Sequence, residues 1–424
     1  MKKYISRLLL LLIILNLLFK FDYFTIKTSA SLYTEEYIYN SPEEVDDDYL
    51  VTVNKTENTE VNIEIESQAA VLIEGSTGRL IFEKNKDEKL KPASVTKVMT
   101  LLLIFEAIKS KQITLSDEVT VSEHAASMGG SQVFLEPFEI QTVDTMLKCI
   151  SISSANDASV AMADMIAGSE EEFVARMNIR AKELGMNNTN FINCTGLDED
   201  NHYTSAYDIA LMSKELIIKH PEVSNYSTIW MDTFTHKTRK GESEFGLSNT
   251  NKLIRSYDGI TGLKTGSTSL AKYCLSATAK KNNMDLIAII LASPDPKTRF
   301  REAAKLLNYG FANYSIYFDD NKDILIEPIK VRRGNIDYIE GKVEGDFSYL
   351  CEKSVIHDDI KKEIIIFEDI KAPINENDLV GEIKYYYNNN EIGTIKIISV
   401  NSVNQATYKD YFYKLLNKLF IKNN

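Results

Sequence analysis

The most restrictive feature of this 424-residue chain is a helix-length segment, 98–107, that has almost no polar face. A helix that is apolar all round is buried on every side, so the segment predicts the central helix of a globular core. The chain is also too long for one ordinary core, which predicts two or three domains. The apolar positions of the segment are Val98, Met99, Leu101 to Phe105, and Ala107.

Ser94 and Lys97 stand where this helix begins, three residues apart. Side chains at that spacing lie on the same helix face. A serine hydroxyl attacks a carbonyl only when another group takes its proton, and a lysine amine does so once burial leaves it neutral. The alternative for an isolated match is an N-cap serine followed by a solvated lysine. Because the helix is so apolar here, we favour the catalytic interpretation.

Ser154 and Asn156 interrupt a second helical pattern, which runs from Val143 to Met165. Serine and asparagine are unfavourable inside a helix because their side chains compete for backbone hydrogen bonds. Such a departure often marks a functional site. We predict that Ser154 relays a proton between Lys97 and the leaving group, and that Asn156 holds the substrate amide and orients the lysine. A plain polar turn between two short helices is the alternative.

The third polar group is Lys264-Thr265-Gly266, which ends a β-type run and precedes a hairpin. A glycine in an edge strand lets a ligand backbone approach closely. Lys264 would supply a cation for a terminal carboxylate, and Thr265 a hydroxyl beside it. The backbone N–H groups of Ser94 and Ser267 would form an oxyanion hole. A surface turn is the alternative.

These three groups occur in the order typical of penicillin-interacting serine enzymes. The chain resembles the low-molecular-mass penicillin-binding proteins that are serine-type D-alanyl-D-alanine carboxypeptidases. The likeness covers about 69–313, and two positions depart from it: Lys272 stands where glycine is expected, and Ser267 where some relatives have histidine. The resemblance implies that Ser94 is acylated, Lys97 is the base, Ser154 assists, and Lys264 binds the terminal carboxylate.

The implied fold is mixed α/β, with a domain similar to serine β-lactamases and transpeptidases, an antiparallel sheet between helices, over 67–313. The implied reaction removes the terminal D-alanine of peptidoglycan stem pentapeptides, with β-lactam antibiotics as inhibitors. Neither a cofactor nor a metal is expected, since the five histidines are scattered without metal-binding spacing. The alternatives are a DD-endopeptidase or transpeptidase, a β-lactamase on the same fold, and a non-catalytic wall-binding protein.

The N-terminus has the pattern of an export signal, with basic residues before an apolar run from Leu8 to Phe19. That run is shorter than the roughly 20 residues that span a bilayer, so we predict a signal peptide over 1–30 rather than a retained anchor. The protein is then extracytoplasmic, associated with the outer face of the cytoplasmic membrane. The acidic segment 31–66 is predicted to be a solvated linker.

The overall composition excludes one class of partner and one class of scaffold. A net charge of −13 argues against nucleic acid, because no broad basic face is offered to phosphate. The four cysteines are widely spaced, which excludes a zinc ribbon or a disulfide-dense scaffold and favours buried free thiols. One disulfide, which an exported protein can form, is the alternative.

The C-terminal part has no catalytic pattern. Over 317–402, β-type runs at 324–331, 363–367, 383–387 and 392–400 predict a smaller β-rich domain, a spacer, partner platform or scaffold. Over 406–424, an apolar stripe and flanking lysines predict a basic amphipathic helix, suited to a membrane surface. The alternative is a helix docked on the β-rich domain. The stripe consists of Tyr408, Tyr411, Phe412, Leu415, Leu416, Leu419 and Phe420.

Overall fold

The computed structural model describes residues 63–420. The predicted signal peptide and the predicted linker up to residue 62 lie outside the described residues. The last four linker positions pack against the core instead of entering solvent: Ile63 and Ile65 are buried, and the backbone N–H of Glu66 donates to Glu302. The isoleucines alternate with glutamates, so one side of the segment is apolar and finds a hydrophobic partner.

Helices cover a central antiparallel sheet within residues 63–313. The strands are β1 (Ala69–Glu74), β2 (Leu80–Lys84), β3 (Glu118–Thr120), β4 (Ile140–Thr142), β5 (Met231–Thr238), β6 (Gly241–Ser248), β7 (Ile260–Thr268), β8 (Lys272–Lys281) and β9 (Met284–Ser293). The helices are α1 (Lys97–Lys109), α2 (Glu123–Ala126), α3 (Val143–Ser153), α4 (Asn156–Ala167), α5 (Glu170–Glu183), α6 (Ala206–Lys219), α7 (Ser224–Ser227), α8 (Leu253–Ser256) and α9 (Pro296–Asn313). Short 3₁₀ turns span Ala93–Thr96 and Pro221–Val223.

The central sheet has five strands in the order β2-β1-β9-β8-β7, every neighbouring pair antiparallel. Successive residues of a strand point to opposite faces. In β1, Val71 and Ile73 join the core that contains α1, whereas Ala70 and Leu72 join a second core that contains α9. The sheet therefore lies between helices, which confirms the predicted fold class. β7 is an edge strand.

The segment that is apolar all round forms α1, and its prediction as a buried central helix is confirmed. Val98, Met99, Leu101 and Leu102 are fully buried. The second helical pattern is divided into α3 and α4. The division falls at Ser154, which has a left-handed backbone with φ of 60°, and the chain becomes helical again at Asn156.

The C-terminal part has a core of its own, in which Phe347 stacks on Tyr385 with ring centroids 3.7 Å apart. A four-stranded sheet has the order β13 (Gly341–Val343), β17 (Asn390–Ser399), β16 (Leu379–Tyr387) and β15 (Lys361–Ile366). The predicted run 324–331 is a strand only at its end, whereas the other three predicted runs overlap long strands. The elements are β10 (Tyr314–Asp319), β11 (Ile329–Lys330), β12 (Tyr338–Ile339), β13 (Gly341–Val343), β14 (Phe347–Glu352), a 3₁₀ turn at His357–Asp359, β15 (Lys361–Ile366), β16 (Leu379–Tyr387) and β17 (Asn390–Ser399).

The last described element is helix α10 (Tyr408–Phe420), as the apolar stripe predicts. Between residues 63 and 420, none of the helices has the length and apolarity to cross a bilayer. The four cysteines are buried free thiols, which confirms their interpretation from spacing.

Candidate active site

Ser94 lies in the 3₁₀ turn that leads into α1, and the segments at Gly196 and Gly266 pack against its backbone. Ser94 is half-buried, so the residue remains partly accessible. The edge strand β7 passes close by at Gly266: a Cβ atom added there would lie 2.9 Å from the backbone nitrogen of Ser94 and from the carbonyl oxygen of Pro92. The third motif thus lies directly beside the predicted nucleophile.

Lys97 is fully buried, and its amine is surrounded by three oxygens. Its Nζ lies 3.1 Å from Ser94 Oγ, 2.6 Å from Asn156 Oδ1 and 2.7 Å from the carbonyl oxygen of Thr195. Burial lowers the pKa of Lys97 to about 7, an effect that the charges of Cys194 and Asp157 oppose. The amine is therefore available in its neutral form near neutral pH.

The neighbours of Lys97 also orient that neutral amine. A neutral amine has two N–H donors and one lone pair. Asn156 Oδ1 and the carbonyl oxygen of Thr195 can only accept hydrogen bonds, so each takes one N–H of the amine. The lone pair is then left for Ser94, whose hydroxyl can donate its proton along the remaining 3.1 Å contact.

The second motif is split between a residue that contacts Lys97 and one that does not. Asn156 holds the amine through Oδ1, and its Nδ2 donates to the carbonyl of Gly129 over 2.7 Å. Ser154 is buried at the break between α3 and α4, and its Oγ has no hydrogen-bond partner among the described residues. The structure therefore brings Asn156 to the predicted base, while a relay through Ser154 stays a prediction.

In the third motif, Lys264 and Thr265 are buried and Ser267 is exposed. Lys264 Nζ donates to the carbonyl of Thr265 over 3.1 Å, and the Thr265 hydroxyl contacts that of Thr250. Burial and the charges of Lys97 and Arg299 lower the pKa of Lys264 well below its ordinary value. Within residues 63–420, Lys264 has no carboxylate at ion-pair distance. A ligand carboxylate would supply the missing counter-charge.

Arg299 is a buried residue of this region that sequence reasoning did not single out. From α9 its Nη1 donates to the carbonyls of Gly266 and Cys274, 3.1 and 3.3 Å away, and so ties β7 to β8 at the third motif. Its guanidinium also stacks over Tyr273. A signal was present in the sequence: Arg299 lies on the same helix face as Ala303 and Leu306, four and seven residues further on.

His202 supports the start of α1 from outside the reactive cluster. Its Nδ1 accepts from the backbone N–H of Ile192 at 3.1 Å, so Nε2 carries the proton and donates to Thr96 Oγ1 at 2.9 Å. Burial lowers the pKa of His202 to about 4, which keeps the ring neutral. This agrees with a structural role for the histidine.

Comparison with known proteins agrees with this geometry. The family model of D-alanyl-D-alanine carboxypeptidases matches residues 54–295, and that of the penicillin-binding protein 5 C-terminal domain matches residues 311–405. The D-alanyl-D-alanine carboxypeptidase DacF of Bacillus subtilis is 47% identical over 318 residues, which are 75% of this chain and 81% of that protein. DacC of Escherichia coli is 32% identical over 357 residues, 81% of this chain and 86% of that protein.

A solved structure gives the same result at the level of the fold. Penicillin-binding protein 5 from Haemophilus influenzae superposes with a TM-score of 0.68 at 29% identity, over 81% of this chain and 99% of that one. The resemblance predicted from the motifs is therefore confirmed. The chain belongs to the D-alanyl-D-alanine carboxypeptidase family of serine peptidases.

Proposed function

We propose that the protein removes the terminal D-alanine from peptidoglycan stem pentapeptides through an acyl-enzyme on Ser94, and that β-lactams acylate the same hydroxyl. The observation that carries the proposal is the contact between Ser94 Oγ and the buried amine of Lys97. A nucleophile and a base in hydrogen-bond reach, the base oriented by a third group, are the signature of covalent catalysis. Asn156 is that third group.

The first half of the reaction forms the acyl-enzyme. Ser94 Oγ attacks the carbonyl carbon of the penultimate D-alanine while its proton passes to Lys97 Nζ. The C–N bond to the terminal D-alanine then breaks, and the leaving nitrogen takes a proton that Lys97 supplies, with Ser154 as the relay. The backbone N–H groups of Ser94 and Ser267 stabilise the negative oxygen that develops.

The second half releases the shortened peptide. Water attacks the ester carbon as Lys97 takes one of its protons, and the C–O bond to Ser94 breaks as Lys97 returns that proton to Ser94 Oγ. Lys264 binds the terminal carboxylate of the pentapeptide, with Thr265 beside it and Gly266 leaving room for the peptide backbone. A carboxylate favours the charged form of a buried lysine, so substrate binding and the charge of Lys264 reinforce each other.

The test is release of D-alanine from stem pentapeptide by the purified protein, together with covalent labelling by a fluorescent penicillin. Ser94→Ala should lose both, with an unchanged melting temperature. The chain offers a matched control in its other Ser-x-x-Lys sequence, where Ser269 is exposed: Ser269→Ala should keep both. Unchanged D-alanine release by Ser94→Ala would refute the mechanism, and rapid catalytic turnover of the penicillin would favour a β-lactamase.

We propose further that the protein is exported and that α10 lies on the outer face of the cytoplasmic membrane. The helix contacts the β-rich part through its polar side, where Lys414 Nζ donates to Asp337 and to the carbonyl of Gly334. Its apolar side is left open: Tyr411, Phe412 and Leu415 are at least half exposed. A docked helix would bury that stripe, so the exposure favours a bilayer as the partner.

A further inference from the structure

Asp157 is a buried carboxylate that neither the motifs nor the reaction sequence above uses. It follows Asn156 in the first turn of α4 and is fully buried. Its oxygens accept backbone N–H groups from Val133 at 3.1 Å, Leu135 at 3.1 Å and Ala158 at 2.9 Å. Burial raises the pKa of Asp157, and these three donors oppose that shift because they favour the ionised carboxylate.

The residues that Asp157 holds belong to a loop, 129–135, that is also bound by Asn156. The backbone N–H of Asn156 donates to the carbonyl of Ser131, and its side chain to the carbonyl of Gly129, each over 2.7 Å. The two adjacent residues thus fix both ends of the loop. The same Asn156 side chain presents Oδ1 to the amine of Lys97 at 2.6 Å.

We propose that Asp157 is a positioning residue for acylation. It holds the 129–135 loop so that Asn156 keeps its hydrogen bond to Lys97, and it places a negative charge close to the Lys97 amine. The inference rests on the proposed function, because it assigns Lys97 the role of base. It concerns a residue outside the three motifs, which acts on the nucleophile only through its neighbours.

Of the two groups that raise the pKa of Lys97, Asp157 is the one that carries a negative charge near pH 7. Asp157 and Cys194 raise the pKa of Lys97, but burial raises the pKa of the Cys194 thiol well above its ordinary value, so this thiol is neutral near pH 7. Glu170 faces Cys194, accepting its backbone N–H, and Lys264 adds a group of the same sign as Lys97. Without Asp157, the amine would become a weaker base.

The experiment compares Asp157→Asn with a matched control, Asp208→Asn. Asp208 is likewise a buried carboxylate in the first turn of a helix, α6, and accepts the backbone N–H of Asn188 at 2.8 Å. Asp208 does not contribute to the pKa shift of Lys97. Acylation by a fluorescent penicillin is measured between pH 5 and 9, with the melting temperature of each variant.

Asp157→Asn should lower the acylation rate at its plateau by about tenfold or more, because a weaker base accepts the proton less readily. It should also shift the acidic limb of the pH profile to lower pH by about one unit, because the loss of a nearby negative charge lowers the pKa of Lys97. Asp208→Asn should lower the melting temperature and leave the acidic limb in place. Asp157→Glu, which keeps the charge but displaces it, should slow acylation with less movement of the limb.

The proposal is overturned if Asp157→Asn loses stability like the control while its acidic limb stays where the wild-type limb is. An Asp157→Asn chain that does not fold also counts against it, because a purely structural role would then account for the residue, unless Asp157→Glu folds and behaves as expected. Failure of the proposed function looks different. In that case the wild-type protein itself would form no acyl-enzyme at Ser94.

Discussion

The Cα atom of Gly196 faces the carbonyl oxygen of Ala93 so closely that a Cβ atom added to the glycine would lie 1.9 Å from that oxygen. The same atom would lie 2.9 Å from the backbone nitrogen of Ser94. Both residues of the contact have left-handed backbones, Gly196 with φ of 88° and Ala93 with φ of 48°. The loop after α5 therefore packs backbone against backbone on the turn that carries the nucleophile.

Gly196→Ala should destabilise the fold and disable the enzyme together. A Cβ atom has no room against the Ala93 carbonyl, so the Ser94 turn must shift. Overpacking and the left-handed backbone together should cost about 2–5 kcal/mol. Gly185→Ala is the matched control: Gly185 has φ of 77° with nothing within 4 Å of an added Cβ, so only the backbone cost of about 1 kcal/mol applies. Urea unfolding and penicillin acylation rates measure the two effects, and equal losses in both variants would contradict the steric argument.

The acylation rate of the wild-type protein should rise with pH through a midpoint near 7. Lys97 takes the proton of Ser94 only when its amine is neutral, and burial lowers its pKa to about 7. Below that pH the amine is protonated and the rate falls tenfold per unit. The measurement is the second-order rate of acylation by a fluorescent penicillin across pH 5–9. Lys97→Arg, which stays charged at all these values, should be inactive throughout. A flat profile would contradict the role of Lys97 as the base.

Lys97 should also make folding stability depend on pH. Its pKa is lower in the folded state than in the unfolded chain, so between about pH 7 and 10.5 the unfolded state binds more protons. The free energy of unfolding should therefore rise with pH over that window, by up to about 1.4 kcal/mol per unit from this residue. Lys97→Met should remove that part of the slope, as measured by urea unfolding at pH 7, 8 and 9. Lys109→Met, at the exposed end of α1, is the control and should leave the slope as it was.

The sequence predicted the central helix and the contact between Ser94 and Lys97 because each rests on a local pattern. An apolar helix can only be buried, and Ser94 and Lys97 are neighbours through helix geometry alone. The contact between Lys97 and Asn156 depends on the packing of α1 against α4; the motif predicted it, whereas spacing along the chain alone does not encode it. The backbone carbonyl of Thr195 was missed for the same reason. Thr195 contributes its carbonyl to the Lys97 amine, whatever its side chain.

The predicted linker shows that average composition can conceal a short segment that packs against the core. Residues 31–66 are acidic on average, yet Ile63 and Ile65 are buried. An average over such a segment hides a short alternation at its end, where two apolar side chains suffice to attach the chain to the core. In the C-terminal part, the strand prediction over 324–331 failed over most of its length. Ile324 and Ile326 pack against the core there while Leu325 is almost fully exposed, so the side chains alternate, but among the described residues no strand pairs with 324–328.

Binding of the protein to anionic vesicles should depend on the open stripe of α10. Replacing Phe412 with glutamate places a charge in the apolar side, which should abolish binding to vesicles of equal parts phosphatidylglycerol and phosphatidylcholine. Tyr413→Glu is the matched control, because Tyr413 is as exposed as Phe412 but lies off the stripe: it adds the same charge and should only weaken binding. Pure phosphatidylcholine vesicles should bind the wild-type protein less, since the lysines then lack anionic lipid. Cosedimentation measures all four cases. Equal loss in the two variants would mean that charge alone, and not the apolar stripe, holds the helix to the bilayer.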